Sequence, residues 1–125
     1  GAKLASPGRR VLVVTGDGGF QMASPELATI RENDLAITIC VFNNRSLGLI
    51  RQQQEIAYGR TCGVDYSDHP DYVKLARTFG LEGLHVDSPS ELQEAIRKAD
   101  APTVIDVPIP REEGMEMSRP RVLDY

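Results

Sequence analysis

Short apolar runs alternate along the chain with segments of helical periodicity, and this alternation predicts an α/β fold. The run Val-Leu-Val-Val-Thr at 11–15 has no polar interruptions, which is typical of a central parallel strand buried on both faces. Strands are predicted over 11–15, 37–42, 84–86 and 103–107. We therefore expect a parallel sheet with helices on both faces.

The segments between the strands carry helix start signals. Ser24 is an expected N-cap, because a proline follows it at the first helical position. Asp68 is the expected N-cap of the next helix, with Asp71 three residues later in a capping-box arrangement. Helices are predicted over 25–32, 72–79 and from 89 to about 99, where the last follows the capping box Ser88-Pro89-Ser90-Glu91.

The remaining segments lack regular periodicity. The connection 43–68 is long for a compact domain, which favours a functional role, and part of 47–55 can be helical. We assign residues 1–107 to one domain and residues 108–125 to an irregular tail. The first five residues are typical of the end of a helix, so we expect the chain to be part of a longer protein.

Composition narrows the functional classes. A net charge of −4 gives no basic surface for nucleic acid or for an anionic membrane. No apolar run approaches the roughly 20 residues that cross a bilayer. The two cysteines, Cys40 and Cys62, fit a reducing cytoplasm, and Cys40 is expected to be a buried, inert thiol because it lies in an apolar run.

Two polar motifs follow neighbouring predicted strands. Gly16-Asp17-Gly18 ends the first, and Asn43-Asn44 ends the second. Because ligands of parallel sheets bind beyond the carboxyl ends of the strands, we expect these motifs to form one site. A carboxylate, an amide oxygen and a loop carbonyl just beyond suit Mg²⁺, and the N–H groups of Gly18, Gly19 and Phe20 can hold a phosphate.

Each motif alone is a common turn, but their combination is more specific. Gly-Asp-Gly, 24 intervening residues and Asn-Asn resemble the signature of the pyrophosphate-binding domain of thiamin diphosphate-dependent enzymes. The flanking sequences, Val-Val-Thr-Gly-Asp-Gly-Gly-Phe-Gln-Met and Asn-Asn-Arg-Ser-Leu-Gly-Leu-Ile-Arg-Gln, are similar to those of acetolactate synthases. The resemblance covers nearly the whole chain except the tail, and it implies a partial thiamin diphosphate-binding fold.

The resemblance also implies roles for individual residues. Asp17 and Asn44 would bind Mg²⁺ through their side chains, and Ser46 through its backbone carbonyl. No side chain of this chain is implied as catalytic, since the cofactor carries out the chemistry. The implied cofactor-binding residues are Gly16, Asp17, Gly18, Gly19, Phe20, Asn44, Ser46, Leu47, Gly48 and Leu49.

The implied activity is decarboxylation of a 2-oxo acid such as pyruvate and its ligation to a second 2-oxo acid, in branched-chain amino acid biosynthesis. In this family an essential glutamate lies on the pyrimidine-binding domain of a neighbouring subunit, so we expect a homo-oligomer and an isolated chain that is incomplete. Glu26 and Glu32 are better interpreted as solvated helix charges.

Other functions stay open from the sequence. Acetolactate synthases usually carry an aromatic residue where this chain has Gln52-Gln53-Gln54, which leaves the acceptor substrate undefined. The alternatives are a simple 2-oxo-acid decarboxylase and a non-catalytic binding or assembly domain. A Rossmann nucleotide-binding domain has no support, because the first turn lacks Gly-x-Gly-x-x-Gly. His69 and His85 belong to no catalytic pattern that the sequence defines.

Overall fold

The computed structural model describes residues 1–111, so the predicted irregularity of 112–125 lies outside the described residues. The strands are β1 (Val11–Gly16), β2 (Ile37–Asn43), β3 (Glu82–His85) and β4 (Thr103–Pro108). All pairs are parallel, in the order β1-β2-β4-β3. The helices are α1 (Ala2–Ala5), α2 (Asp17–Ala23), α3 (Glu26–Glu32), α4 (Gly48–Tyr58), α5 (Tyr72–Thr78) and α6 (Pro89–Lys98).

Two apolar clusters pack against opposite faces of the sheet. One joins α2, α3 and α5 to β2 and β4, and its buried members are Phe20, Leu27, Ile39, Val41, Tyr72, Ala76, Leu81 and Val104. The other joins α6 to the same two strands through Cys40, Ile105, Val107, Leu92, Ala95 and Ile96. The predicted parallel sheet with helices on both faces is confirmed. Burial raises the pKa of the Cys40 thiol, in keeping with an inert cysteine.

The prediction of a fully buried first strand is wrong. Among residues 1–111, β1 is an edge strand that pairs only with β2, and Leu12, Val13 and Val14 are 47%, 38% and 65% exposed. An unbroken apolar sequence indicates that a strand suits a buried environment. It does not identify which neighbouring elements cover that strand. Within residues 1–111 the covered positions are instead β2 and β4.

Two helix starts differ from the prediction. The Gly16-Asp17-Gly18 motif, a common turn by sequence, instead leads directly from β1 into α2, which begins at Asp17. The N-cap of α5 is Asp71, whose side chain accepts a 2.9 Å hydrogen bond from the Lys74 N–H, and not Asp68. Pro70 explains the shift, because the residue before a proline disfavours helical dihedral angles.

The other predicted helix and strand boundaries lie closer to those in the structure. Ser88 caps α6 by accepting a 3.2 Å hydrogen bond from the Glu91 N–H, as predicted. Ser24 does not cap α3, since its hydroxyl donates to the Gln21 carbonyl instead. β3 begins two residues before its predicted start, at Glu82. No helix among residues 1–111 combines the length and apolarity needed to span a bilayer.

Candidate functional site

The ends of β1 and β2 bring the two polar motifs together. Gly16, the last residue of β1, pairs with Phe42 near the end of β2. Asp17 then opens α2, and Asn43 and Asn44 follow at the same edge of the sheet. The predicted meeting of the two motifs is therefore present in the structure.

Three oxygen-bearing residues converge at this edge. The backbone N–H of Ser46 lies 3.3 Å from Asp17 Oδ2 and 3.1 Å from Asn44 Oδ1, so one donor faces both side-chain oxygens. Within residues 1–111, no backbone N–H donates to the Ser46 carbonyl outside the regular elements. The carboxylate, the amide oxygen and the carbonyl-bearing residue predicted from the sequence are thus neighbours in space.

Asp17 is buried without a cationic partner. Its side chain accepts hydrogen bonds from the N–H groups of Gly18, at 2.8 Å, and Ser46, and the residue is only 3% exposed. In the part of the chain that the structure describes, no Lys, Arg or His forms an ion pair with it. Buried charges are normally paired with an opposite charge or bound to a metal ion, so this carboxylate is suited to be a ligand of a cation.

A cleft of about 400 Å³ opens beside Asp17. It includes nine of the ten predicted cofactor-binding residues. The exception is Phe20, whose side chain is buried in the core with its ring at 5.4 Å from Tyr72. The lining residues are Gly16, Asp17, Gly18, Gly19, Met22, Phe42, Asn44, Ser46, Leu47, Gly48, Leu49, Ile50 and Ile109.

Two glycines keep the walls of this cleft close together. A Cβ on Gly18 would lie 2.6 Å from Leu47 Cδ2, and a Cβ on Gly48 would lie 2.6 Å from Asn44 Nδ2. Real Cβ atoms do not approach so closely. At both positions a side chain would therefore move a residue of the candidate site.

The segment 64–66 holds Ser46 in place through hydrogen bonds. The sequence did not predict these contacts. The Leu47 N–H donates to the Val64 carbonyl, and the Tyr66 N–H donates to the Arg45 carbonyl. The Ser46 hydroxyl lies 3.0 Å from both the Val64 carbonyl oxygen and Asp65 Oδ1, and either oxygen can accept its hydrogen bond. Nothing in the aperiodic sequence of this connection indicates such pairing.

A second group missed from the sequence lies at the ends of β3 and β4. Asp106 is 8% exposed, and its Oδ2 lies 3.0 Å from His85 Nδ1. A single acidic residue inside the apolar run 103–107 was the available signal. His69 and Asp71 line the same small cavity. No three His, Cys, Asp or Glu side chains within residues 1–111 form a cluster that could hold a metal ion.

We expect His85 to titrate above its ordinary value of about 6.5. The hydrogen bond to Asp106 raises its pKa most, Asp87 adds to the rise, and partial burial opposes it. A pKa raised by folding gives stability that is complete below about pH 6.5 and is lost as the pH rises through the raised value. An NMR titration of the imidazole should show the raised pKa, and Asp106→Leu should lower it. An unshifted wild-type titration would contradict this account.

Residues 1–107 match the family model described as thiamine pyrophosphate enzyme, C-terminal TPP binding domain. A probable acetolactate synthase large subunit of Methanococcus aeolicus is 40% identical over 96% of this chain and 21% of its own length. An acetolactate synthase of Bacillus subtilis is 36% identical over 94% of this chain and 21% of its own length.

A solved structure is also similar. A thiamine diphosphate-dependent 4-hydroxybenzoylformate decarboxylase of Rhodococcus jostii superimposes with a TM-score of 0.82 and 32% identity, over 90% of this chain and 22% of that one. The chain thus spans about one fifth of the length of these relatives. With its parallel α/β fold and the match over 1–107, the chain belongs to the family of C-terminal, thiamine pyrophosphate-binding domains of thiamine pyrophosphate enzymes.

Proposed function

We propose that this chain is the thiamin diphosphate- and Mg²⁺-binding part of an enzyme that decarboxylates a 2-oxo acid, such as pyruvate, and ligates it to a second 2-oxo acid. The observation that carries the proposal is the buried Asp17 carboxylate, which has two amide donors and no cationic partner among the described residues. The names of the acetolactate synthase relatives support the choice of reaction.

The oxygen donors of the site suit Mg²⁺. Asp17 and Asn44 would contribute side-chain oxygens, and Ser46 its backbone carbonyl. Mg²⁺ is usually held by one or two carboxylates together with phosphate oxygens and water. Because the site contains a single carboxylate, one positive charge of the ion is left for the diphosphate to balance. We therefore expect Mg²⁺ and thiamin diphosphate to bind much more tightly together than either does alone.

The cleft would hold the cofactor between its two glycine-containing walls. Backbone groups of Gly16, Gly18 and Gly19 would contact the diphosphate, and Leu47, Gly48 and Leu49 would line its path. Phe20 can contribute only through its backbone, because its side chain lies in the core. When bound, thiamin diphosphate supplies the reactive carbon and the electron sink for loss of CO₂. This chain would orient the cofactor and hold the Mg²⁺ ion that offsets the charge of the diphosphate.

A neighbouring subunit is part of the proposal. Met22, Leu49 and Ile50 line the cleft and are 84%, 51% and 44% exposed, a clustered apolar surface that suits contact with another domain. Glu26 and Glu32 are exposed on α3, outside the residues that line the cleft, so neither is placed to activate the cofactor. We propose that a pyrimidine-binding domain from another subunit of a cytoplasmic homo-oligomer completes the site.

The experiment that tests this function supplies a pyrimidine-binding domain. The isolated chain should not consume pyruvate, whereas co-expression with the polypeptide that carries the pyrimidine-binding domain should give turnover that depends on Mg²⁺ and thiamin diphosphate. Pyruvate consumption by the isolated chain would refute the proposed division of the site. Absence of turnover in a complex that binds the cofactor would favour a non-catalytic assembly role.

A simple 2-oxo-acid decarboxylase is the second candidate. It is favoured by the Rhodococcus jostii decarboxylase, which is 32% identical to this chain. Product analysis of the same complex separates the two candidates: acetolactate identifies ligation, whereas a free aldehyde as the only product identifies decarboxylation without ligation.

A further inference from the structure

The turn that carries Asn44 and Ser46 is built from two overlapping side-chain-to-backbone hydrogen bonds. Asn43 Oδ1 accepts from the Arg45 N–H at 3.1 Å, and Asn44 Oδ1 accepts from the Ser46 N–H at 3.1 Å. Each is an Asx turn, in which a side chain binds the backbone two residues later. The position of the candidate cation ligands therefore depends on the orientation of the Asn43 amide.

Arg45 adopts an unfavourable backbone conformation in this turn. Its φ is 56°, in the left-handed region that a residue with a Cβ seldom adopts. Such a conformation persists when surrounding contacts hold it in place. The hydrogen bond from the Arg45 N–H to Asn43 Oδ1 is one such contact, and it requires that the amide oxygen, and not the NH₂ group, face Arg45.

Asp106 fixes that orientation. Its Oδ1 lies 3.0 Å from Asn43 Nδ2, and its Oδ2 lies 3.0 Å from His85 Nδ1. An ionised carboxylate only accepts hydrogen bonds, so the donating NH₂ group of Asn43 must face it, and the amide oxygen must face Arg45. Asn43 and Asp106 are only 4% and 8% exposed, which limits replacement of these contacts by water.

We propose that Asp106 is a positioning residue for the Mg²⁺–diphosphate site, acting through Asn43 on the turn that presents Asn44 and Ser46. This inference rests on the proposed function. The Asp106 side chain lines a different cavity from the cofactor cleft, and His85 and His69 line that cavity with it. His85 holds the second carboxylate oxygen and so limits rotation of the Asp106 side chain. In other metal sites, mutation of a residue that orients a metal ligand lowers metal affinity by about 10–100-fold.

The test compares Asp106→Leu with Asp106→Asn by calorimetric titration of thiamin diphosphate in Mg²⁺. Leucine removes the acceptor for Asn43 Nδ2, and we expect affinity to fall at least tenfold. Asparagine retains one carbonyl oxygen that can accept from Asn43, so affinity should stay within about threefold. Equal affinities of the wild type and a folded Asp106→Leu variant would overturn the proposal.

A reciprocal exchange covers the case in which Asp106→Leu does not fold. Asn43→Asp alone would place two carboxylates about 3 Å apart and should weaken binding. Combining it with Asp106→Asn restores a donor opposite an acceptor, while residue 43 keeps an oxygen for the Arg45 N–H. The double variant should recover at least most of the affinity lost by Asn43→Asp. Failure to recover would contradict the proposed contact.

Amide hydrogen exchange tests the same contact without any ligand. In Asp106→Leu, the Arg45 amide should exchange at least tenfold faster than global destabilisation accounts for. Ile105→Val is the matched control, since it loosens the neighbouring position of β4 but does not contact Asn43. If the wild-type protein binds no cofactor even with the pyrimidine-binding domain supplied, the proposed function fails, and the Arg45 exchange rate still decides the role of Asp106.

Discussion

Asp17→Asn should reduce the affinity for thiamin diphosphate in Mg²⁺ by about 100-fold, or about 2.7 kcal/mol. The substitution keeps the size of the side chain and removes the charge that attracts the cation. In the cofactor-free protein, the same charge is buried without a cationic partner among the described residues. Loss of this charge removes a burial cost, but the new NH₂ group faces one of the two N–H donors that the carboxylate accepts, so the unfolding free energy should change by no more than about 1–3 kcal/mol. Calorimetric titration and chemical denaturation measure the two effects separately.

Asp71→Asn is the matched control for this experiment. Asp71 also accepts a backbone N–H, as the N-cap of α5, but it does not line the cleft. Its replacement should leave cofactor affinity within about twofold of wild type, since asparagine is an equally good N-cap. Unchanged affinity in Asp17→Asn would remove the cation role of Asp17 and favour the assembly function.

Gly48→Ala is the second substitution with a large expected effect. The new Cβ would lie 2.6 Å from Asn44 Nδ2, so the Asn44 amide has to move. We expect cofactor affinity in Mg²⁺ to fall at least tenfold, about 1.4 kcal/mol. Alanine also reduces the entropy of the unfolded chain, a stabilising effect of about 0.4–1 kcal/mol that opposes the strain. Binding should therefore suffer more than stability.

Gly8→Ala serves as the control for Gly48→Ala. A Cβ on Gly8 has no heavy atom within 4 Å, and Gly8 is not among the residues that line the cleft. Its affinity for the cofactor should match that of wild type. If Gly48→Ala binds as tightly as Gly8→Ala, the Asn44 amide is not a ligand, and the proposed cation site is wrong in that part.

The sequence predicted the positions of Asp17 and Asn44 better than it predicted their surroundings. Their meeting could be predicted because each follows an apolar strand, and parallel strands place such residues at one edge. The pairing of 64–66 with 45–47 could not be predicted, since it depends on two long-range backbone hydrogen bonds that leave no periodic pattern. Asp106 was overlooked because the polarity of one residue does not reveal its partners.

The edge position of β1 marks a different limit. Its apolar sequence correctly indicated a strand, yet Val14 is 65% exposed in the described part of the chain. Strand propensity is a local property, whereas burial depends on which elements pack against the strand. The helix start at Asp71 has a local cause instead, since a proline one residue earlier outweighs the signal at Asp68.

The most direct test of the account is a crystal structure of the protein with thiamin diphosphate and Mn²⁺, which stands in for Mg²⁺ and is located by its anomalous scattering. We predict one Mn²⁺ peak bonded to an Asp17 carboxylate oxygen, Asn44 Oδ1 and the Ser46 carbonyl oxygen, at about 2.1 Å. Diphosphate oxygens should complete its coordination in the cleft. A peak bound elsewhere, or cofactor bound without contact to Asp17, would contradict the proposed site.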